Sequence, residues 1–297
     1  MHRHAVDWPT CALIALTYAA FGLTTTWVHA LAPAAGIVAT AVVVALFSSL
    51  QHEALHGHPT RHRALNAALV FPALTVLVPY LRFRDLHLSH HRDSRLTDPY
   101  DDPESNYFAA ADWDRLPRWA QTLLAANNTL LGRVTLGPVL GTWAFLRTEA
   151  RMLRAGDRRA VRGWAWHLPA LVPVVAWVWA APMGWAAYAV AVYGAMGLLR
   201  VRTFLEHRAD ADAGRRTVII EDRGPLAFLF LNNNLHVVHH LHPTVPWYRL
   251  PSVYRADPAR YLGRNGGYRY GSYLEVIRRY LVTAKDPVVH PIFHRGG

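Results

Sequence analysis

The stretch TCALIALTYAAFGLTTTWVHALAPAAGIVATAVVVALFSSL, residues 10–50, contains no Asp, Glu, Lys or Arg. A membrane-spanning helix needs about 20 apolar residues, so this run is long enough for two spans. The Ala-Pro-Ala-Ala-Gly sequence at 32–36 predicts a turn between them. A second uncharged run, residues 163–199, has a comparable break at 181–184. The two runs therefore predict two transmembrane helical hairpins.

The predicted fold is an all-α integral membrane protein, with a single domain covering residues 1–297. Its four spans are expected near residues 10–31, 34–51, 164–181 and 184–202. A third apolar run, residues 64–81, carries two prolines, and we expect it to be re-entrant or interfacial instead of a further span. Because every Lys and Arg lies outside the two uncharged runs, the positive-inside rule places both termini in the cytoplasm, together with a helical cap that holds a di-metal site.

Composition narrows the class of protein further. The chain of 297 residues is 52% hydrophobic and 17% charged, yet its formal net charge is +11. The arginines flank apolar runs and do not alternate with aromatic residues, which argues against nucleic-acid binding and favours a membrane surface. Cys11 is the only cysteine, so disulfide frameworks, CxxC zinc sites and iron–sulfur clusters within this chain are excluded.

The histidines are the candidate metal ligands of this sequence. Three clusters have spacings of three or four residues, which place their imidazoles on one face of a helix. A lone histidine in Glu206-His207-Arg208 follows the last span. Imidazole is a common metal ligand and suits iron, zinc or copper. Nine histidines exceed what one metal ion can use, so we predict two metal ions with these ligands: His52, His56, His87, His90, His91, His207, His236, His239 and His240.

These motifs resemble those of a known family. HEALH at 52–56, HLSHH at 87–91 and HVVHH at 236–240 resemble the HxxxH, HxxHH and HxxHH boxes of the membrane-bound fatty-acid desaturase superfamily. The resemblance implies two Fe2+ ions held by the nine histidines on the cytoplasmic face of a bacterial inner membrane. It also implies O2 as co-substrate and insertion of a double bond into a fatty-acyl chain of a membrane lipid.

Other segments of the sequence favour different functions. Residues 239–251, HHLHPTVPWYRLP, and the acidic stretch 97–104 are similar to segments of bacterial carotenoid ketolases. The alternative is therefore a hydroxylase or ketolase that oxidises a carotenoid or an alkane with the same di-iron site. A histidine-rich metal transporter or sensor is a rival from another class, which would place its histidines within the spans or in a flexible tract.

The ligand histidines need hydrogen-bond partners, which fix the tautomer that binds metal. The predicted partners are Glu53, Asp85, Asp98, Asp101, Asp102, Glu206 and Asn232. No catalytic residue is predicted beyond the metal ligands. The sequence contains no electron-transfer module, so we expect an external carrier of the ferredoxin, rubredoxin or cytochrome type. Candidate arginines for docking an acidic carrier are Arg92, Arg95, Arg118 and Arg208.

Overall fold

A computed structural model describes residues 6–92 and 96–293. Helices make up most of it, and two short strands, β1 (Ile219–Ile220) and β2 (Arg269–Tyr270), pair in parallel. The helices in chain order are α1 (Trp8–Leu23), α2 (His29–Leu31), α3 (Pro33–Leu55), α4 (Arg63–Leu69), α5 (Tyr80–Arg92), α6 (Ala110–Asp114), α7 (Arg118–Asn127), α8 (Leu130–Thr135), α9 (Gly137–Arg154), α10 (Arg158–Ala180), α11 (Gly184–Thr203), α12 (Pro225–Leu229), α13 (His236–Leu241), α14 (Leu250–Ala256), α15 (Pro258–Arg264) and α16 (Tyr273–Tyr280).

The chain divides into two compact units. The first, called the apolar unit here, comprises Met1–Asp85 and Val139–Leu199. The second, called the histidine unit, comprises Leu86–Pro138 and Arg200–Gly297. Seven of the nine predicted ligands belong to the histidine unit, and His52 and His56 belong to the apolar unit.

The first predicted hairpin forms at the expected place. α1 continues through a π-helical turn, Thr24–Val28, into α2, and the chain reverses at Ala32. Pro33 starts α3, where its fixed φ suits a helix and its missing amide costs nothing. Gly36 permits the tight reversal, because a Cβ there would lie 2.5 Å from the Cα of His29. α3 then runs to Leu55, so the first histidine box lies in the last turns of an apolar helix.

Three helical segments of the described residues are long and apolar enough to cross a membrane, namely Trp8–Leu31, Pro33–Leu55 and Gly184–Thr203. The fourth expected span, 164–181, lies within α10, and a turn at 181–183 connects it to α11 as predicted. However, α10 carries several tryptophans, His167 and two internal prolines, which are less favourable in a bilayer than aliphatic residues. Four spans and a cytoplasmic cap therefore stay predictions.

The proline-containing run 64–81 forms α4 and then a non-helical segment up to Pro79. Proline lacks an amide and breaks helical hydrogen bonding, so this backbone needs other partners. Four side chains of the surrounding helices hydrogen-bond to its carbonyl oxygens: Tyr18 to Leu69 (2.9 Å), Gln51 to Val70 (3.1 Å), Tyr188 to Leu74 (2.5 Å) and His167 to Val76 (2.8 Å). Irregular backbone is tolerated at membrane depth only when protein groups satisfy it in this way. A re-entrant or interfacial position of this segment stays a prediction.

The last histidine box is held by the core of the histidine unit. Val237 and Val238 are buried on one side of α13, packing in a cluster with Ile219, Leu235 and Leu250. The Val237 amide donates to the carbonyl of Val218, which fixes α13 next to strand β1. Because residues three and four apart share a helix face, the three histidines of this box project together away from that core.

Candidate metal centre

Four histidines of the histidine unit converge on one point. His90 comes from α5, His236 and His240 from α13, and His207 from the chain after α11. One ring nitrogen of each lies within 4.8 Å of the others. His207 Nε2 is 3.0 Å from His90 Nε2 and 3.1 Å from His236 Nε2, which is 3.1 Å from His240 Nε2. We call these residues the four-histidine cluster.

The outward nitrogens show which tautomers are present. His90 Nδ1 donates to Asp102 Oδ1 at 2.8 Å, since a carboxylate can only accept. His236 Nδ1 lies 3.3 Å from Asn233 Oδ1, and Asn233 Nδ2 donates to Glu206 at 2.7 Å, so the amide oxygen is left to accept from His236. With their protons on Nδ1, the neutral forms of these two rings turn unprotonated Nε2 atoms inward, as metal binding needs. Two unprotonated nitrogens about 3 Å apart repel each other unless a proton or a metal ion lies between them.

A second group in the same unit contains His87, His91 and His239, and we call it the three-histidine cluster. His91 Nε2 and His239 Nε2 are 3.2 Å apart, and one ring nitrogen of His87 lies within 4.8 Å of both neighbours' ligand atoms. His87 Nδ1 contacts Glu104 Oε1 at 2.8 Å. The two clusters adjoin, because the rings of His91 and His240 stack with centroids 4.1 Å apart.

The spacing of the nitrogens fits metal coordination. For metal–nitrogen bonds of about 2.1 Å, neighbouring ligand nitrogens lie about 3.0 Å apart in octahedral and about 3.4 Å apart in tetrahedral geometry. The observed separations of 3.0–3.2 Å match the edges of such polyhedra. The donor set, all imidazole with carboxylates and an amide behind it, suits iron, zinc or copper.

Electrostatics also favour a cation at this place. Burial lowers the pKa of His207, His236 and His240 well below the ordinary histidine value, which keeps them in the neutral, metal-binding form. Burial has the same effect on His90, but Glu104 and Asp102 overcome it and raise the pKa of His90 to about 9. The two carboxylates therefore stabilise positive charge at His90, which is a proton on the ring until a metal ion displaces it.

The first box lies in the apolar unit. His52 and His56 are buried at the end of α3, with ring centroids 4.8 Å apart, as their i, i+4 spacing predicts. Beyond them, His58 Nδ1 contacts Asp7 at 3.2 Å and His58 Nε2 lies 3.9 Å from Glu53. The two carboxylates approach different nitrogens of one ring, so this group is better described as hydrogen-bonded charges than as a metal site.

The structure revises the predicted hydrogen-bond partners of the ligands. Asn232 has φ +56° and donates to the Trp247 carbonyl, and its neighbour Asn233 lies against His236 instead. The prediction of Asn232 is thus wrong, because α13 begins at His236 and the i−4 position is not helical. Glu206 lies 3.8 Å from His236 Nδ1, close to the predicted position.

The acidic residues divide similarly. Asp102 contacts His90, as described above, whereas Asp98 accepts from the amides of Tyr100 and Asp101 in its own turn, and Asp85 pairs with Arg84. Glu53 faces His58. The contact of Glu104 with His87 is not predicted above, although Glu104 lies in the same acidic stretch as Asp102, two residues after it.

The arginines proposed for carrier docking differ in their surroundings. Arg118 is exposed, and Arg208 stacks over the Tyr268 ring at 4.4 Å. Arg95 and the side chain of Arg92 lie outside the described residues.

Comparison with known proteins identifies the family. The family model described as fatty acid desaturase matches residues 24–272, most of the chain. The chain belongs to the fatty acid desaturase family. It is also 30% identical over 217 residues to a β-carotene ketolase of Paracoccus sp. (strain N81106 / MBIC 01143), an alignment that covers 69% of this chain and 72% of the relative. Family and relative together imply that this desaturase-family protein is an oxidoreductase.

Desaturase-family enzymes use a di-iron centre, and the histidine clusters of this chain are able to bind metal. The family membership thus supports the expectation drawn from the boxes, and the geometry adds the hydrogen-bond partners behind the imidazoles.

Proposed function

We propose that this protein is an O2-dependent di-iron enzyme that oxidises a C–H bond of an apolar, membrane-dissolved substrate. The observation that carries the proposal is the four-histidine cluster, where one ring nitrogen of each imidazole turns towards one point. A transporter needs ligands that release metal readily, whereas His90 and His236 are buried and are fixed from behind by a carboxylate and an amide. That arrangement suits a resident metal ion.

In this proposal each cluster holds one iron ion. His90, His207, His236 and His240 bind one, and His87, His91 and His239 bind the other. The family boxes imply His52 and His56 as further ligands of the second ion. The irons, when bound, supply the redox chemistry that activates O2 towards an unactivated C–H bond.

The residues of the chain orient and tune that centre. Asp102 fixes the tautomer of His90, Asn233 together with Glu206 fixes that of His236, and Glu104 contacts His87. Carboxylates behind imidazoles make them more basic and strengthen their bonds to the metal. The apolar helices Trp8–Leu31, Pro33–Leu55 and Gly184–Thr203 give access to substrates dissolved in the bilayer.

The first substrate candidate is a fatty-acyl chain, consistent with the family. Loss of two hydrogens from adjacent carbons, with reduction of O2 to two waters, requires two further electrons and two protons. The electrons would come from an external ferredoxin, rubredoxin or cytochrome at the cytoplasmic face of a bacterial inner membrane, with Arg118 and Arg208 as docking candidates.

A carotenoid is a second candidate that one observation favours as much. The relative with 30% identity is a β-carotene ketolase, and the HHLHPTVPWYRLP segment is similar to segments of bacterial carotenoid ketolases. Formation of a ketone from a CH2 group takes two successive hydroxylations of one carbon and then loss of water. It therefore consumes two O2, four electrons and four protons and releases three waters, whereas desaturation consumes one O2, two electrons and two protons.

The test is expression in a host that makes both membrane acyl lipids and β-carotene, followed by mass spectrometry of lipids and pigments. New acyl double bonds with unchanged pigment support desaturation, and oxygenated carotenoid with unchanged acyl chains supports ketolation. The His91→Ala variant is the matched control and should produce neither. If wild-type protein and this variant give the same lipids and pigments with each of the three carrier types co-expressed, the proposal is wrong.

A further inference from the structure

The members of the four-histidine cluster are held in different ways. Helices α5 and α13 fix the backbones of His90, His236 and His240. His207 follows the end of α11 by four residues and lies on no helix, although a bridge to Thr217 supports one side of it. Its Nδ1 is buried and has no hydrogen-bond partner in the part of the chain that the structure describes. Hydrogen bonding to Nδ1 therefore does not orient His207 among the described residues, and the backbone that carries the ring contributes to its position.

Lys285 contacts that backbone. Its Nζ donates to the carbonyl oxygen of His207 at 2.5 Å and forms an ion pair with Asp286 Oδ2 at 3.1 Å. The Lys285 side chain is 10% exposed, so this ammonium is largely removed from water. Burial of a charge is costly unless it is paired and hydrogen-bonded, and both conditions are met here.

Lys285 is also the only lysine among the 31 Lys and Arg residues of the chain. An ammonium is a compact charge with three donors, whereas the guanidinium of arginine is a planar fork. Lysine, and not arginine, thus lies between the His207 carbonyl and the Asp286 carboxylate.

Tyr107 and Asp286 extend the contact. Tyr107 Oη donates to Asp286 Oδ2 at 2.6 Å and accepts a hydrogen bond from the amide of Ala209 at 3.0 Å. The backbone of residues 207–209 is thus hydrogen-bonded at both ends. Lys285 donates to the His207 carbonyl, and Tyr107 accepts from the Ala209 amide. Asp286 is fixed in turn, because Asn128 Nδ2 donates to its carbonyl oxygen.

We propose that Lys285, together with Asp286 and Tyr107, is a positioning residue for His207 and holds this ligand in place for the metal ion of the four-histidine cluster. The inference rests on the proposed function, because it requires that cluster to bind a metal ion. Loss of the groups behind a metal ligand typically weakens metal binding about 10- to 100-fold. Since Lys285 acts through His207, the loss is confined to the four-histidine cluster.

The test compares wild-type protein with Lys285→Met after anaerobic loading with Fe2+. Both proteins are equilibrated with increasing concentrations of a chelator, and the iron retained per chain is measured by mass spectrometry of the element. Wild-type protein should retain both ions over a range of chelator in which Lys285→Met retains one, with a loss of affinity of about 10- to 100-fold at one site. The control is Arg278→Met, which removes an exposed cation from α16 and should behave as wild type.

The outcomes separate this inference from the proposed function. Retention of both ions by Lys285→Met with wild-type affinity overturns the inference and leaves the proposed function standing. A wild-type protein that binds no iron refutes the proposed function itself and the inference with it. Equal weakening of both sites in a variant with wild-type helical circular dichroism also overturns the inference, because a positioning role predicts a selective loss.

A second variant covers the case in which Lys285→Met fails to fold. Tyr107→Phe removes the contacts to Asp286 and Ala209 without leaving a buried charge unpaired. It should weaken iron binding at one site, by about 10-fold. Wild-type affinity at both sites in this variant would then decide against the proposal.

Discussion

Asp102 offers a measurable link between the hydrogen-bond network and the metal site. Its carboxylate accepts from His90 Nδ1 at 2.8 Å, from the Thr97 amide at 2.8 Å and from the Glu104 amide at 2.9 Å. Asp102→Asn keeps the shape and removes the charge. Hydrogen bonds to charged groups contribute about 1.5–3 kcal/mol and neutral ones about 0.5–1.5 kcal/mol, so each bond weakens by roughly 1 kcal/mol.

One of these three bonds reaches a ligand, and the loss of its charge also makes His90 less basic. We therefore expect metal affinity at the four-histidine cluster to fall by about 1–2 kcal/mol, which corresponds to about 5- to 30-fold. The assay is competition for Fe2+ with a chelator of calibrated affinity under anaerobic conditions.

The matched control for this experiment is Asp98→Asn. Asp98 belongs to the same acidic loop but caps a turn through the amides of Tyr100 and Asp101. We expect less than about a twofold change in affinity for this variant, because the mutation leaves the imidazoles untouched. Equal losses in the two variants, or wild-type affinity in Asp102→Asn, would refute the reasoning.

Three further predictions follow from the structure. Asn233→Ala should lower iron affinity and activity, whereas Asn232→Ala should affect them little, because Asn233 contacts His236 and Asn232 contacts the Trp247 carbonyl. Titration of both variants with Fe2+ measures the affinities, and a larger loss in Asn232→Ala would contradict the assignment. Glu149→Gln should lower the thermal midpoint in detergent by far more than Arg84→Met. It leaves the buried Arg82 guanidinium without its carboxylate at a cost of about 3–5 kcal/mol, whereas Arg84 and Asp85 form a partly exposed ion pair. Equal shifts of the thermal midpoint would contradict this prediction. His90→Ala and His239→Ala should abolish product formation while membrane insertion, followed by fractionation, is unchanged; activity in either would count against the ligand assignment.

The sequence predicted those features that depend on apolar length and on helical periodicity. Helices Trp8–Leu31, Pro33–Leu55 and Gly184–Thr203 follow from long runs without charge, because a bilayer-sized helix needs nothing else. Within each of the boxes at 87–91 and 236–240, the i, i+3, i+4 spacing sets a common face for the histidines wherever the helix lies. The fourth predicted span lies in α10, which is less apolar because tryptophan, proline and histidine stand among its aliphatic residues.

The parts that sequence could not predict depend on non-helical backbone. Leu231 and Asn232 adopt positive φ before α13, so helical spacing pointed to Asn232 where the chain presents Asn233. The loop that carries Asp102 and Glu104 has no periodicity from which to read which carboxylate faces a histidine. Lys285 lies 78 residues from His207 in sequence, so only the folded chain reveals their contact.

Iron content tests the central claim most directly. Full-length protein, purified without oxygen and analysed for bound metal, should contain two iron ions per chain. The count should fall to one in His207→Ala and in His91→Ala, which each remove a ligand from a different cluster, and stay at two in His62→Ala, which alters an exposed histidine. Wild-type protein with no more than one tightly bound ion, or the same loss in His62→Ala as in the two cluster variants, would contradict the account.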